Sequence, residues 1–415
     1  MKLKTSEDYQ KATEHKIVHK RDFAAGADPD LKKGCGHSHP KIGQARVGPQ
    51  LISAAGYPTE KHRARTPDGY ILQMHRIPTG VRTPRRSDSS KGKRAVLVVH
   101  GLLGCSGDFV IMGPERSLAY ILADAGYDVW LGNLRGNTYT THQNLSRNDK
   151  EFWEYSFHEH GKYDIPSMID KVLNVTGLPK IMYIGYSMGT TSFFTMTAQR
   201  PEYNDKIIAM VALAPAVYMD NIKPLMELLI KRLNVPETMR TRGMISVNLA
   251  QNVMSTVIGS LCNPRSPQDL CLSIVYSIVG EDFEQNDAEM SSIVMARFQP
   301  ASWRQLEHFA KIAMTGVFTS WEDGLWGQIR PYDLTNVRVP VTLLYGMNDQ
   351  LTEKSQIMRL AEVLNSTGVL EDVRPGCSWP KFNHLDFVFA KDVGKLLNKP
   401  LTKLVNKLYN TYSGS

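Results

Sequence analysis

Lys180-Ile181-Met182-Tyr183-Ile184-Gly185-Tyr186-Ser187-Met188-Gly189 is the stretch whose reading decides the fold. Its first five residues make an apolar, β-rich run, and the residues from Met188 onward suit a helix. Between the two lies Gly185-Tyr186-Ser187-Met188-Gly189, a G-x-S-x-G pattern. Such a pattern is short, and it gains meaning only from a strand–turn–helix context, which is present here. The tight turn forces the serine into a strained backbone conformation. Side chains at Gly185 and Gly189 would collide with the neighbouring strand or helix. The plainer role for Ser187 is a helix N-cap.

Working outward, strands and helices alternate. Upstream, Gly69–Ile77 resembles a strand after an Asp68-Gly69 turn. Ala95–Val99 is a continuous β-branched run ending in His100-Gly101-Leu102-Leu103-Gly104. Ser117–Ala125 reads as a helix closed by Gly126, Tyr127–Leu131 as a strand, and Tyr163–Val175 as a helix closed by Gly177. Downstream come a helix over Thr190–Arg200 and strands over Ile207–Leu213 and Val341–Tyr345. A helix follows from about Glu353 to Leu364. Continuous apolar strands imply burial on both faces, so the pattern predicts an α/β protein with an open, mostly parallel sheet covered by helices on both sides. From about Tyr218 to Arg330 the rhythm breaks into Leu, Met and Ile at helical spacing with no good strand. That length is too great for one connection. The expected organisation is a polar, disordered extension over 1–47, a core over 48–217 and 331–412, and a helical cap over 218–330.

A serine hydroxyl needs a base, and the base needs a carboxylate to orient it. After Ser187 the chain contains two histidines, His308 and His384. His308 lies in an amphipathic segment and is expected on a helix surface. His384, in Phe382-Asn383-His384-Leu385-Asp386-Phe387, precedes the last helix and is the expected base. Asp349 follows the Val341–Tyr345 strand and is the expected acid. Asp386, two residues from His384, would point elsewhere. An oxyanion needs donors. The N–H of Met188, at the start of the helix after the serine, supplies one. The N–H of Leu102, in the turn after Val99, supplies the second, and His100 shapes that turn.

Composition excludes several classes. The 415 residues are 42% apolar and 22% charged, ample for a buried core and unlike a disordered chain. No apolar run approaches the roughly 20 residues of a membrane-spanning helix. The net charge of +8 is concentrated: residues 1–47 carry +4 and 81–94 carry +5, leaving −1 for the rest. A nucleic-acid face would interleave basic and aromatic residues on folded sequence, so nucleic acid is not an expected partner. Cys35-Gly36-His37-Ser38-His39 lacks the second cysteine pair of a structural metal site. No metal or cofactor is expected. The first residues, MKLKTSEDYQKATEHKIVHKRD, have no apolar core of about 7–15 residues and are not a signal peptide as written.

The motifs GYPTEKHRARTPDGYILQMHRIP, HGLLG, GNLRGNTY, EFWEYSFHEHGKYDIPSMID, GYSMGTT, LYGMNDQL and FNHLDFVF occur in order from about residue 48 to 390. In this the chain resembles the animal acid lipase family, the gastric, lysosomal and insect lipases. The resemblance implies an α/β-hydrolase fold with a cap and lid. It also implies hydrolysis of neutral lipid esters, such as triacylglycerols or sterol esters, at a lipid–water interface. Ser187, Asp349 and His384 fall on the family's nucleophile, acid and base, and Leu102 and Met188 on its oxyanion donors. The family's cap disulfide matches the spacing of Cys262 and Cys271. The resemblance further implies a secreted or lysosomal location, the setting in which the N-x-[ST] acceptors Asn144, Asn174 and Asn365 would be glycosylated. Either the protein stays inside the cell or the chain lacks its true start. Tyr186 stands where the family commonly has His. Two other readings are a hydrolase of small soluble esters or thioesters, and a catalytically silent lipid-binding protein.

Overall fold

The computed structural model describes residues 48–82, 94–220, 227–228, 232, 234–244, 246–247, 268–287, 298–322 and 324–414. The expected extension over 1–47, most of the basic loop, and Cys262 lie outside them.

The strands are β1 Glu60–Arg65, β2 Tyr70–Ile77, β3 Arg94–Val99, β4 Tyr127–Leu131, β5 Thr140–His142, β6 Ile181–Tyr186 and β7 Ile207–Leu213. Four more follow: β8 Ser246–Val247, β9 Ala301–Ser302, β10 Val341–Tyr345 and β11 Leu370–Pro375. Among the described residues, nine form one sheet in the order β1-β2-β4-β3-β6-β7-β10-β11, with β5 beside β2. From β4 to β11 every neighbour is parallel; β1, β2 and β5 join antiparallel at one edge. β8 and β9 make a two-residue antiparallel pair in the region expected to lack strands. They are too short for their sequence to alternate visibly.

The helices are α1 Gly48–Ala54, α2 Leu118–Asp124, α3 Ile165–Thr176, α4 Met188–Gln199, α5 Val235–Thr241, α6 Gln268–Val279, α7 Trp303–Thr315, α8 Lys354–Ser366 and α9 Lys399–Tyr412. The period-2 alternation of the strands sorts their side chains into two cores. Ala95, Leu97 and Val99 of β3 pack on one face with residues of α3, α4 and α8. Val96 and Val98 pack on the other with α2 and α9. Both faces are covered, which is why these strands are apolar throughout. Gly177 ends α3 in a left-handed conformation, φ 70°, the C-cap role in which glycine avoids a Cβ penalty.

The register pairs Val99 with Gly185, Tyr186 with Leu213 and Leu213 with Leu344. The carboxyl ends of β3, β6, β7 and β10 therefore line up, and the loops leaving them gather at one edge of the sheet. This is the usual place for sites in open α/β sheets. Between β7 and β10 the chain makes the excursion that carries α5, β8, α6, β9 and α7.

The Gly132-to-Tyr139 segment, which follows β4, is anchored by a buried ion pair. Arg135 Nε donates to Asp164 Oδ1 at 2.9 Å and Arg135 Nη1 to Asp68 Oδ2 at 2.6 Å. The guanidinium also lies over the Tyr70 ring, 4.0 Å from its centroid. Asp164 is fully buried, and burial raises its carboxyl above the ordinary range against the pull of Arg135. Replacing Arg135 by Met should strand that carboxyl. The expected loss is about 3–5 kcal/mol of stability, read as an earlier urea unfolding midpoint.

Candidate active site

At the end of β6 the chain turns through Ser187 at φ 52°, ψ −118° and enters α4 immediately. The glycines at either side have the predicted steric reason. A Cβ on Gly185 would lie 2.8 Å from the Gly189 carbonyl carbon, and one on Gly189 would run into the Val99 carbonyl at the end of β3. Ser187 N donates to Leu213 O at 2.9 Å, which ties the turn to β7. The side chain of Ser187 makes no N-cap hydrogen bond to α4; its hydroxyl is directed elsewhere.

It meets His384. Ser187 Oγ lies 2.8 Å from His384 Nε2, and His384 Nδ1 lies 2.7 Å from Asp349 Oδ2. The three come from positions 187, 349 and 384 and are all buried, at 7, 5 and 3% exposure. Asp349 Oδ1 accepts from the N–H groups of Leu351 (2.9 Å) and Thr352 (2.8 Å), and Oδ2 also accepts from Thr352 Oγ1 (2.8 Å). A carboxylate with this many donors is held in one orientation. The proton on His384 is thereby directed to Nδ1, leaving Nε2 free to accept from the serine hydroxyl. Asp386 is turned away: its Oδ2 accepts the Asn383 N–H at 2.7 Å.

The turn after β3 packs against the serine, since a Cβ on Gly101 would lie 3.1 Å from Ser187 Cβ. His100 shapes this turn. Burial pushes its imidazole down to about 4, so the neutral ring donates from Nδ1 to Gly101 O (2.8 Å) and accepts the Leu134 N–H at Nε2 (3.2 Å). Leu103, next in the turn, has φ 58°, a strained conformation for a leucine. Neither the Leu102 N–H nor the Met188 N–H has an acceptor among the described residues.

His308 is not on a surface. It is fully buried, stacked on Phe157 at 3.7 Å, with Nδ1 2.9 Å from Ser156 Oγ and Nε2 donating to Thr319 O at 2.8 Å. The helix that carries it, α7, also buries Glu307 against Arg240 and Lys311 against three carbonyls. The polar face read from its sequence is therefore a covered face whose polar groups have partners. Asn144, Asn174 and Asn365 are exposed. The Cys262–Cys271 pairing falls outside the described residues. No group of three or more metal-ligating side chains exists among the described residues. No helix among them is long and apolar enough to cross a membrane.

Known proteins share this arrangement of chain and motif. Residues 49–113 match a family described as a partial alpha/beta-hydrolase lipase region, and residues 94–377 match the alpha/beta hydrolase fold. Lipase 3 of Drosophila melanogaster is 38% identical over 85% of this chain and 91% of its own. Lipase 1 of the same fly is 36% identical over 86% and 79%. The chain belongs to the α/β-hydrolase family of ester-hydrolysing lipases. Gastric triacylglycerol lipase of Bos taurus is a further relative of this lipase, at 32% identity over 86% of this chain and 90% of its own. Two solved structures carry the same fold at low identity. One, from Sulfolobus solfataricus, is 14% identical with TM-score 0.53, covering 84% of this chain and 99% of that one. Another, from Burkholderia cenocepacia, is 15% identical with TM-score 0.51, covering 85% and 100%.

The contacts made by two further side chains of this lipase were not foreseen from the sequence. Tyr186 OH donates to the His384 carbonyl at 3.0 Å, so the residue that departs from the family's usual His holds the loop of the expected base. Thr352, just past Asp349, bonds the carboxylate that faces His384. A hydroxyl three residues beyond an expected acid is the local signal for the second; the first depends on tertiary geometry alone.

Proposed function

We propose that this lipase cleaves the carboxylic esters of neutral lipids, triacylglycerols or sterol esters, through a Ser187–His384–Asp349 triad and an acyl-enzyme. The observation that carries the reading is the unbroken chain of bonds from Ser187 Oγ through both ring nitrogens of His384 to Asp349. Ser187 Oγ attacks the ester carbonyl while its proton passes to His384 Nε2. The resulting oxyanion takes hydrogen bonds from the Leu102 and Met188 N–H groups, the second at the positive end of α4. Collapse of the tetrahedral intermediate breaks the bond to the alcohol, which leaves with the proton from Nε2. Water then repeats the sequence against the acyl-enzyme and releases the carboxylic acid. Asp349 orients the ring and stabilises the imidazolium.

The substrate class is supported by the relatives, one of which is named for triacylglycerols, and by the covering of the site. The segment over 218–330 serves as a lid. Gln299 N donates to Leu103 O (2.8 Å), and the Gln305 side chain touches Met188 Sδ. Both turns that carry the expected oxyanion donors thus touch described residues of this region, and Ser187 is buried. Opening such a cover exposes apolar surface, which is costly in water and favourable at a lipid surface. Rates should therefore stay low on a dispersed short-chain ester and rise abruptly once a long-chain triacylglycerol passes its solubility limit. The measurement is initial rate against substrate concentration through that limit. A smooth curve with preference for short soluble esters would instead assign a carboxylesterase with a fixed wall.

A further inference from the structure

Between α7 and β10 the chain closes a loop on itself. Ser320 N donates to Arg330 O at 2.8 Å and Tyr332 N to Phe318 O at 2.8 Å, while Arg330 N donates to Thr319 Oγ1 at 2.7 Å. The described residues between 320 and 330 therefore form a compact loop with its ends together, a kind of surface loop that packs on its own side chains. From beneath it is held by α7. The buried Lys311 ammonium donates to the carbonyls of Glu322 (3.2 Å), Gly324 (3.2 Å) and Gln328 (3.1 Å). Leu325 is buried against Ala310, with Met314 beside it. A buried ammonium is costly unless its donors are used. Using them on three carbonyls of one loop pins that loop's backbone.

What the loop displays is apolar. Trp326 is 69% exposed and Ile329 48%. Gly324 precedes them at φ +81°, and a Cβ there would meet no atom within 4 Å among the described residues, so the tip stands clear of the body. One exposed apolar side chain is ordinary on a protein surface. A tryptophan and an isoleucine three residues apart, both uncovered on a pinned loop, are less so. The charges beside them are balanced locally. Arg330 pairs with Glu322 at 2.7 Å, and the sequence Ser320–Arg330 holds two acidic residues against that one arginine. The loop therefore has no surplus positive charge for an anionic head group.

We propose that the loop bearing Trp326 and Ile329 is an anchor that holds this lipase on an uncharged lipid–water interface. The choice of partner rests on the lipid-ester reading above. Tryptophan suits such a boundary, since its ring is apolar and its N–H can stay bonded to water or head groups. Rigidity helps, because a loop already held in shape loses little conformational freedom on adsorption. Position helps as well. α7 carries Gln305, which touches Met188 Sδ beside the nucleophile, and Lys311, which holds the loop. These two lie six residues apart on the helix, about 9 Å along its axis. The same helix is fixed to the core, with Ser302 Oγ donating to Trp153 O (2.5 Å) and His308 Nδ1 at 2.9 Å from Ser156 Oγ. The loop is displayed while Ser187 is buried, so it is available before the cover opens.

The test is adsorption of the full chain to triolein droplets coated with phosphatidylcholine. It is measured by flotation in the Ser187→Ala background, so that the surface is not hydrolysed. Trp326→Ala should weaken adsorption about tenfold, and adding Ile329→Ser should weaken it further. Trp326→Phe, which keeps a ring, should stay within about threefold of the parent. Added salt should leave the parent's adsorption unchanged. With Ser187 present, Trp326→Ala should raise the apparent KM for droplets, leave kcat, and cleave a soluble short-chain ester at the parent rate. A double variant that adsorbs like the parent overturns the proposal. So does loss of adsorption in salt, which would assign a charged surface. A parent that is dimeric by sedimentation, and monomeric as Trp326→Ala with droplet binding unchanged, overturns it in favour of a subunit contact. Cleavage of soluble esters alone, with adsorption still dependent on Trp326, removes the lipid-ester reading and keeps the anchor. Lipid hydrolysis with equal adsorption across the variants removes the anchor alone.

Discussion

Ser187→Ala should abolish ester hydrolysis, with turnover falling on the order of 10⁴-fold or more, while the fold stays intact. Nothing else in the site supplies a nucleophile at this position. The loss to stability should be small because the backbone carries the turn. The Ser187 N–H still reaches Leu213 O, and Gly185 and Gly189 still allow the close approach of β3 to α4. Alanine bears the same strain at φ 52° as serine does. The lost bond from Oγ to His384 is worth about 1 kcal/mol. The measurement pairs hydrolysis of a long-chain ester with thermal melting of the purified variant. More than a few per cent residual activity in a protein that melts like wild type would remove Ser187 from the mechanism.

Much of the fold was legible in the sequence, for a reason visible in particular strands. β3, β6, β7 and β10 lie inside the sheet with helices on both faces, so each is a predominantly apolar run, the pattern of a doubly covered parallel sheet. The edge strands gave no such signal. β1 is Glu-Lys-His-Arg-Ala-Arg and β11 is Leu-Glu-Asp-Val-Arg-Pro, both half exposed. They belong to the sheet through backbone hydrogen bonds, which leave no trace in side-chain pattern. Charged residues on an edge also discourage pairing with another chain.

The site was legible where chemistry depends on position relative to a strand. Ser187, Asp349 and the His100–Leu102 turn each directly follow a strand that the sequence marks clearly. His308 shows the limit of that logic. An amphipathic pattern tells how a helix divides into two faces, and it assumes that the polar face meets water. On α7 the polar face meets Arg240, Ser156 and backbone carbonyls instead. The bonds from the Gln350 and His384 N–H groups to Val279 O are illegible for a related reason. Val279 lies more than 60 residues from Asp349 and more than 100 from His384, and it contributes a carbonyl, which every residue has.

Asp349→Asn should cost about 10⁴-fold in turnover with little change in fold, and the hydrogen bonds around it say why. The Leu351 and Thr352 N–H groups both donate to Oδ1, so in the variant the amide oxygen is pinned at that side and the NH₂ group takes the place of Oδ2. That NH₂ then faces His384 Nδ1, which must accept rather than donate. The ring's proton moves to Nε2, the atom 2.8 Å from Ser187 Oγ, and the serine loses its base while every heavy atom stays in place. Thr352 Oγ1, which donates to Oδ2 in the native site, can turn and accept from the new N–H, so the variant leaves no buried group unsatisfied. Asp386→Asn is the matched control: same chemistry, same loop as His384, but with its carboxylate on the Asn383 N–H. It should retain activity within about tenfold of wild type, since its side chain bonds the Asn383 backbone and not the His384 ring. Side-by-side kcat values at a mildly acidic pH decide the matter. If Asp386→Asn proves the more damaging of the two, the acid of this triad is Asp386, and the bond between Asp349 and His384 is not the one that orients the base.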